Sequence, residues 1–66
     1  MKEHWELIMR GLYSVKPYQK KEFPQLEAYC KHILDCGMEK YFEIKYYQND
    51  KLIETVEIND YFGINN

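Results

Sequence analysis

The residues of this sequence with the greatest chemical potential are two cysteines and two histidines. Cys30, His32 and Cys36 lie close together along the chain, and His4 lies near its start. Thiolates and imidazoles are ligands of zinc and act as nucleophile and base in catalysis. On a helix, however, Cys30 and His32 would point about 200° apart, so they could neither share an ion nor act as a dyad. The sequence therefore predicts no metal site, no cofactor and no catalytic residue.

The two cysteines also bear on the cellular compartment. Six residues of helix would separate Cys30 and Cys36 by about 120° around the axis, which is too far to form a disulfide. Free thiols are typical of a reducing cytosol. The N-terminal residues are interrupted by charges at Lys2, Glu3 and Glu6, unlike a signal peptide. No apolar run approaches the roughly 18 residues of a membrane helix. We therefore expect a cytoplasmic protein.

Composition indicates one folded, acidic domain spanning residues 1–66. The chain is 45% apolar and 17% aromatic, and its net charge is −2. Residues 1–36 hold six Lys/Arg and five Asp/Glu, whereas residues 37–66 hold three Lys and six Asp/Glu, so the negative charge lies in the second half. The one basic cluster is Lys16, Lys20 and Lys21, which falls short of the basic stripe of a phosphate-backbone binder. Nucleic acid is therefore a disfavoured partner.

The clearest predicted element is a helix over residues 24–36. Its apolar residues recur at i, i+3, i+4, i+7 and i+8, which places them on one face. Pro24 suits the first helical turn, and Gly37 suits the left-handed position just past the end. The apolar face comprises Leu26, Tyr29, Cys30, Ile33 and Leu34.

A β-hairpin is predicted from strands over residues 41–48 and 52–59, which flank Asn49–Asp50. A two-residue turn would place Ile44 opposite Thr55. A three-residue loop over 49–51 places Ile44 opposite Val56 and Phe42 opposite Ile58. We favour the second register because it gathers the apolar residues on one face. That face then comprises Phe42, Ile44, Tyr46, Val56 and Ile58, with Glu54 as its one charged member.

Residues 4–16 fit two patterns. A strand places alternate residues from Trp5 to Val15 on one face, including Gly11 and Tyr13, whereas a helix aligns Trp5, Ile8, Met9 and Leu12. The strand pattern lasts longer, and Lys16–Pro17 is expected to end it. The predicted fold is α+β, a two-layer β-α-β-β arrangement with one helix on a three-stranded, mainly antiparallel sheet. The alternative is an α-α-β-β fold that resembles a small winged helix.

One helix can cover only one side of such a sheet, so the other side and the sheet edges are candidate binding surfaces. Aromatic residues among charges there resemble an interface hot spot, although an ordinary solvated face also carries some Tyr and Thr. The tail 60–66 adds Tyr61, Phe62 and Ile64, which either fold back on the core or await a partner. The predicted partner-binding residues are Tyr41, Lys45, Tyr47, Ile53, Thr55, Glu57, Tyr61 and Phe62.

These features favour a protein-binding module over an enzyme. The leading interpretation is an inhibitor or modulator of a larger macromolecular machine, with a protein partner. In size and acidity the chain is similar to phage-encoded inhibitors, including anti-CRISPR-type proteins, in which carboxylates such as Glu54, Glu57 and Asp60 would occupy a basic channel. The alternatives are a homodimeric structural or assembly protein and, with less support, a nucleic-acid-binding domain that stacks bases on sheet aromatics.

Overall fold

A computed structural model of the chain describes residues 1–12 and 14–63, so the predicted placements of Tyr13 and Ile64 lie outside the described residues. The α+β class is confirmed, but the sheet has four strands in the order β2-β1-β3-β4 rather than three, and every pairing is antiparallel. The winged-helix-like alternative is wrong. The elements are β1 (Glu3–Met9), β2 (Ser14–Gln19), α1 (Phe23–Asp35), β3 (Phe42–Gln48), β4 (Lys51–Val56) and α2 (Ile58–Phe62), with short 3₁₀ turns at Lys20–Glu22 and Glu39–Tyr41.

The extra strand arises because the predicted strand over residues 4–16 is a hairpin. Gly11 has a φ of +88°, which glycine adopts without strain, and the chain reverses there. Val15 consequently pairs with Ile8 and lies on the opposite face from Trp5 and Leu7. The prediction that Val15 shares the face of Trp5 is therefore wrong.

Pro17 does not end the second strand, contrary to prediction. It lies inside β2, opposite Glu6 of β1. Because β2 is at the edge of the sheet, its outward backbone groups have no ladder partner among the described residues, and a missing N–H is tolerated there. Proline marked an edge strand here, not a strand end.

The second hairpin combines both predicted alternatives. Asn49 and Asp50 form a two-residue turn with φ values of 52° and 66°, which are typical of a type I′ turn. Farther from the turn, Ile44 pairs with Val56, as the favoured register predicted. A β-bulge reconciles the two, because Tyr46 pairs with Glu54 and Tyr47 pairs with Leu52, which leaves Ile53 as the extra residue.

Helix α1 is confirmed to within one residue at each end. Gln19 and Glu22 form a capping box before it, with the Gln19 backbone N–H donating to Glu22 Oε1 at 2.8 Å. At the other end, Gly37 has a φ of +70°. The Gly37 N–H donates to the Leu34 carbonyl at 3.0 Å and the Met38 N–H to the Ile33 carbonyl at 3.1 Å, which is a Schellman motif.

The chain after β4 forms a short helix instead of continuing the strand to residue 59. β4 ends at Val56, and Glu57 is the N-cap residue of α2. Ile58 is therefore not paired with Phe42, as predicted, but its side chain is still fully buried. The prediction identified a core residue in the wrong element.

The core lies between α1 and one face of the sheet, which we call the covered face. Its fully buried side chains are Leu26 and Cys30 of α1, Ile44 of β3 and Ile58 of α2. The remaining buried members are Trp5, Leu7, Tyr18, Ile33, Phe42 and Tyr46. Within the described residues, no helix is long and apolar enough to cross a membrane.

We expect Ile44→Ala to lower the free energy of unfolding by about 2–5 kcal/mol, because it leaves a cavity at a fully buried site. Ile44→Val should cost about 0.5–1.5 kcal/mol, which keeps the series measurable if the alanine variant does not fold. Ile53→Ala, at an exposed bulge, should change stability by less than about 0.5 kcal/mol. Urea denaturation followed by circular dichroism measures all three. Equal losses for Ile44→Ala and Ile53→Ala would contradict the packing described.

Candidate functional site

The sheet face opposite α1 is not covered by any helix in the described part of the chain, and we call it the open face. The strand registers place alternate residues of each strand on it, because their neighbours are buried on the covered face. Polar and apolar side chains are mixed across it, so it resembles neither a core nor a fully solvated surface. Its members are His4, Glu6, Ile8, Val15, Pro17, Gln19, Glu43, Lys45, Tyr47, Leu52 and Thr55.

Tyr47 is the organising residue at the hairpin end of the open face. Its ring stacks on His4, with centroids 4.6 Å apart and planes 4° from parallel. Its hydroxyl donates to Glu6 Oε1 at 3.1 Å. Desolvation is the larger cause, and this hydrogen bond to Glu6 the second, of a pKa of Tyr47 that is raised above its ordinary value. The stacking on His4 and the hydrogen bond to Glu6 together hold the Tyr47 side chain in one orientation.

A charged cluster occupies the opposite end of the same face. Arg10 Nε donates to Glu43 Oε1 at 3.1 Å, and its guanidinium also pairs with Glu57. Arg10 Nη1 donates to the Lys40 carbonyl at 2.8 Å. Beside this cluster lies a shallow depression of about 450 Å³, which opens to solvent and whose lining includes Ile8, Val15 and Lys45. The depression is shallow and open, and its described lining mixes charged and apolar side chains.

The sheet edge at β4 is the most exposed apolar segment of the hairpin. Leu52 is 45% exposed and Ile53 is 47% exposed. Among the described residues, no strand pairs with the outer side of β4, so its backbone groups there can hydrogen-bond to another chain. The other sheet edge, β2, contains Pro17 and is a poorer template for strand addition. The two edges are therefore not equivalent.

The structure brings together some of the predicted partner-binding residues. Lys45, Tyr47 and Thr55 lie on the open face, with Lys45 opposite both Glu6 and Thr55. Glu57 lies at the end of that face, where Arg10 pairs with its carboxylate. Ile53 is exposed, but it is the bulge residue and does not pair with Tyr47 as predicted; Leu52 takes that place.

Three other predicted residues lie elsewhere. Tyr41 is in a 3₁₀ turn before β3, outside the sheet. Six residues of extended chain separate it from Tyr47, which corresponds to about 20 Å. Tyr61 and Phe62 are in α2, on the helix side of the sheet. Their rings contact Phe23 at centroid distances of 6.5 and 5.7 Å, and Trp5 Nε1 donates to the Tyr61 hydroxyl at 3.3 Å. Of the two predicted roles for this segment, the described part folds back on the core.

Sequence reasoning missed His4, Arg10 and Leu52 as members of this surface. His4 and Arg10 belong to β1 and its turn, whose pairing with β3 depends on the fold. Leu52 takes its position from the bulge. The Asn49–Asp50 pair did signal a tight turn. A two-residue turn at Asn49–Asp50 is compatible with the pairing of Ile44 and Val56 only if β4 contains one extra residue. The bulge could have been predicted from this mismatch.

The two cysteines have different environments, and both are free thiols. Cys30 is fully buried in the core, and burial raises its pKa to about 12, because the thiolate is poorly solvated there. Cys36 is exposed at the end of α1. Because the thiolate is the reactive form, the two should differ in reactivity.

In the native protein, iodoacetamide at neutral pH should alkylate Cys36 while leaving Cys30 unmodified. In concentrated urea both residues should react, since unfolding exposes Cys30. Peptide mapping by mass spectrometry assigns each modified site. Comparable native labelling of both cysteines would show that the core opens readily or that Cys30 is not buried.

Glu3 ties the covered face to the 3₁₀ turn before α1. Its carboxylate accepts a hydrogen bond from the Tyr46 hydroxyl and pairs with Lys20 Nζ at 3.3 Å. The hydrogen bond from Tyr46 and then that from Lys20 lower the pKa of Glu3 below its ordinary 4.5. A lowered folded-state pKa stabilises the protein at pH above 4.5, and this contribution is lost as pH falls through the folded value.

Glu3→Gln should therefore destabilise the protein at pH 7, and the difference from wild type should shrink as pH falls below about 4.5. Denaturation of both proteins across a pH series measures the difference between their free energies of unfolding. The contributions of the other carboxylates to that difference largely cancel, because both proteins contain them. An NMR titration of the Glu3 carboxyl provides the control, because Tyr46→Phe should return its pKa toward 4.5. A difference that stays constant from pH 7 to pH 3 would contradict the assignment.

Comparison with protein-family models, with curated proteins and with solved structures found no match. In residues 1–12 and 14–63, no group of three or more His, Cys, Asp or Glu side chains is arranged to hold a metal ion. The geometry defines the class of the protein as a two-layer α+β domain with an open sheet face and an accessible edge.

Proposed function

We propose that this chain is a protein-binding module that modulates a larger assembly, and that it binds through the hairpin end of its open face. The observation that carries the proposal is the position of Leu52 and Ile53, which are nearly half exposed on an accessible sheet edge beside the fixed ring of Tyr47. Tyr is enriched among interface hot spots, and the apolar side chains around such a residue exclude water from the contact.

The mode of binding that this arrangement supports is strand addition. An extended segment of the partner would pair with the outer side of β4 through backbone hydrogen bonds, while its side chains contact Leu52 and Tyr47. Lys45 and Thr55, which pair next to the bulge, would form a polar border on one side of this contact. Binding of this kind needs no catalytic group.

The placement of charge argues against the two electrostatic alternatives. Binding of a nucleic acid to the open face would require free cations, but Arg10 already pairs with two carboxylates, and Lys45 lies opposite Glu6. Occupation of a basic channel by Glu57 is weakened by the same pairing with Arg10. Glu54, opposite Tyr46, belongs to the other side of the sheet, and Asp60 lies in α2. These carboxylates do not form one acidic surface.

A homodimeric assembly role is a second candidate, supported by the same accessible edge. A second copy could add its own β4 and extend the sheet across a two-fold axis. Light scattering coupled to size-exclusion chromatography separates this role from binding of a different protein.

The decisive experiment compares matched pairs of substitutions in affinity capture from cells of the source organism, read by mass spectrometry. Leu52→Ala/Ile53→Ala should weaken capture of the partner by about tenfold or more, because it removes the apolar anchors. Tyr29→Ala/Met38→Ala removes side chains that are equally exposed, at 44% and 45%, on and just after α1, and should leave capture unchanged.

Each outcome of the capture experiment supports a different conclusion. A stoichiometric partner lost only with the hairpin pair supports the proposal, and cross-linking should then map that partner to β4. Equal loss with both pairs, or with neither, would refute the proposed surface. Recovery of the chain alone as a dimer that the hairpin pair dissociates would instead establish the assembly role.

A further inference from the structure

The last turn of α1 carries a histidine and a cysteine that face each other. His32 Nε2 and Cys36 Sγ are 3.8 Å apart, and both side chains are exposed. Sequence reasoning compared Cys30 with His32 and so overlooked this pair. Residues at i and i+4 lie one above the other on a helix surface, which is why these two meet.

We propose that His32 and Cys36 form a chelating site for a borderline-soft divalent metal ion, of which Zn²⁺ is the expected occupant. Zinc binds thiolate sulfur at about 2.3 Å and imidazole nitrogen at about 2.0–2.1 Å in tetrahedral geometry. Those bonds place the two ligand atoms about 3.5 Å apart. The observed separation of 3.8 Å needs only a small side-chain rotation to match this distance.

The backbone holds this pair in place. The Cys36 N–H donates to the His32 carbonyl at 3.1 Å, which keeps Cys36 in register with the final turn even though it is the C-cap residue. The Schellman motif at Gly37 then reverses the chain immediately after it. The backbone of both residues is therefore fixed before an ion binds, so that binding has only the two side chains to order.

The electrostatic surroundings favour a cation. The site lies at the C-terminal end of α1, where the aligned peptide dipoles leave partial negative charge. Asp35 is the neighbouring residue in the same turn. The nearby cation Lys31 pairs with Glu27 at 3.4 Å, which directs its ammonium group toward the preceding turn.

Two protein donors leave two tetrahedral positions for water or for a donor from another molecule. No third His, Cys, Asp or Glu completes the site within the part of the chain that the structure describes. Thiolate and imidazole donors together select Zn²⁺ over Mg²⁺ and Ca²⁺, which prefer oxygen ligands. Binding exchanges the thiol proton for the metal: Cys–SH + Zn²⁺ gives Cys–S⁻–Zn²⁺ + H⁺.

The test titrates Co²⁺, a spectroscopic substitute for Zn²⁺, into the full, reduced chain. A thiolate-to-cobalt charge-transfer band should develop with one ion per chain, and added Zn²⁺ should abolish it while Mg²⁺ does not. Cys36→Ser should remove the band. His32→Ala should weaken Co²⁺ binding by more than about tenfold. Loss of a residue that only hydrogen-bonds to a metal ligand already costs about that much in affinity. Gln25→Ala, at an exposed position of the same helix, should bind as wild type does.

The melting temperature distinguishes chelation of the ion by the folded protein from weak binding of the ion to the thiol alone. Zn²⁺ should raise the melting temperature of the wild-type chain through linkage, and it should not raise that of Cys36→Ser. Both substituted side chains are exposed, and circular dichroism verifies that the variants fold. The proposal is overturned if no band develops, if the band survives Cys36→Ser, or if His32→Ala binds as tightly as wild type. The first outcome would leave the 3.8 Å contact as a weak thiol–imidazole hydrogen bond.

Discussion

The packing of α1 on one face of the sheet is the constraint on which the rest of the structure depends. A helix of 13 residues is about 20 Å long, and four strands span about 14 Å, so one helix is just large enough to cover one face. Leu26, Cys30 and Ile33 supply that cover. Within residues 1–12 and 14–63 no comparable helix covers the second face, because the other helix there has five residues and packs beside α1.

The features that sequence reasoning predicted correctly are those with a local cause. The limits of α1 follow from the apolar stripe, Pro24 and Gly37, and the pairing of Ile44 with Val56 follows from alternation. The errors arose where one pattern fits two structures. Alternation continues through a hairpin turn as well as through a strand, so the pattern over residues 4–16 does not reveal the reversal at Gly11. Only pairing with β1 shows which face Val15 occupies.

The candidate site was less predictable than the fold because its members come from separate elements. Tyr47 and Lys45 share one strand and could be grouped from sequence. The contacts that orient Tyr47 come from His4 and Glu6 of β1. β1 lies next to β3 because α1 connects β2 to β3 and returns the chain antiparallel to β1. Aromatic residues near the C-terminus matched the same hot-spot composition, yet Tyr61 and Phe62 complete the core around Trp5. Composition did not distinguish the two uses.

The two proposed sites occupy different parts of the molecule and place different demands on it. The hairpin surface depends on β4 remaining accessible, and both Leu52 and the bulge residue Ile53 are exposed there. The His32–Cys36 pair depends on the helix end, which is fixed by backbone hydrogen bonds. Because α1 packs on the covered face, an ion bound at its last turn would not touch the hairpin surface. A metal effect on partner binding would therefore have to act through the stability of α1 and the core that it forms.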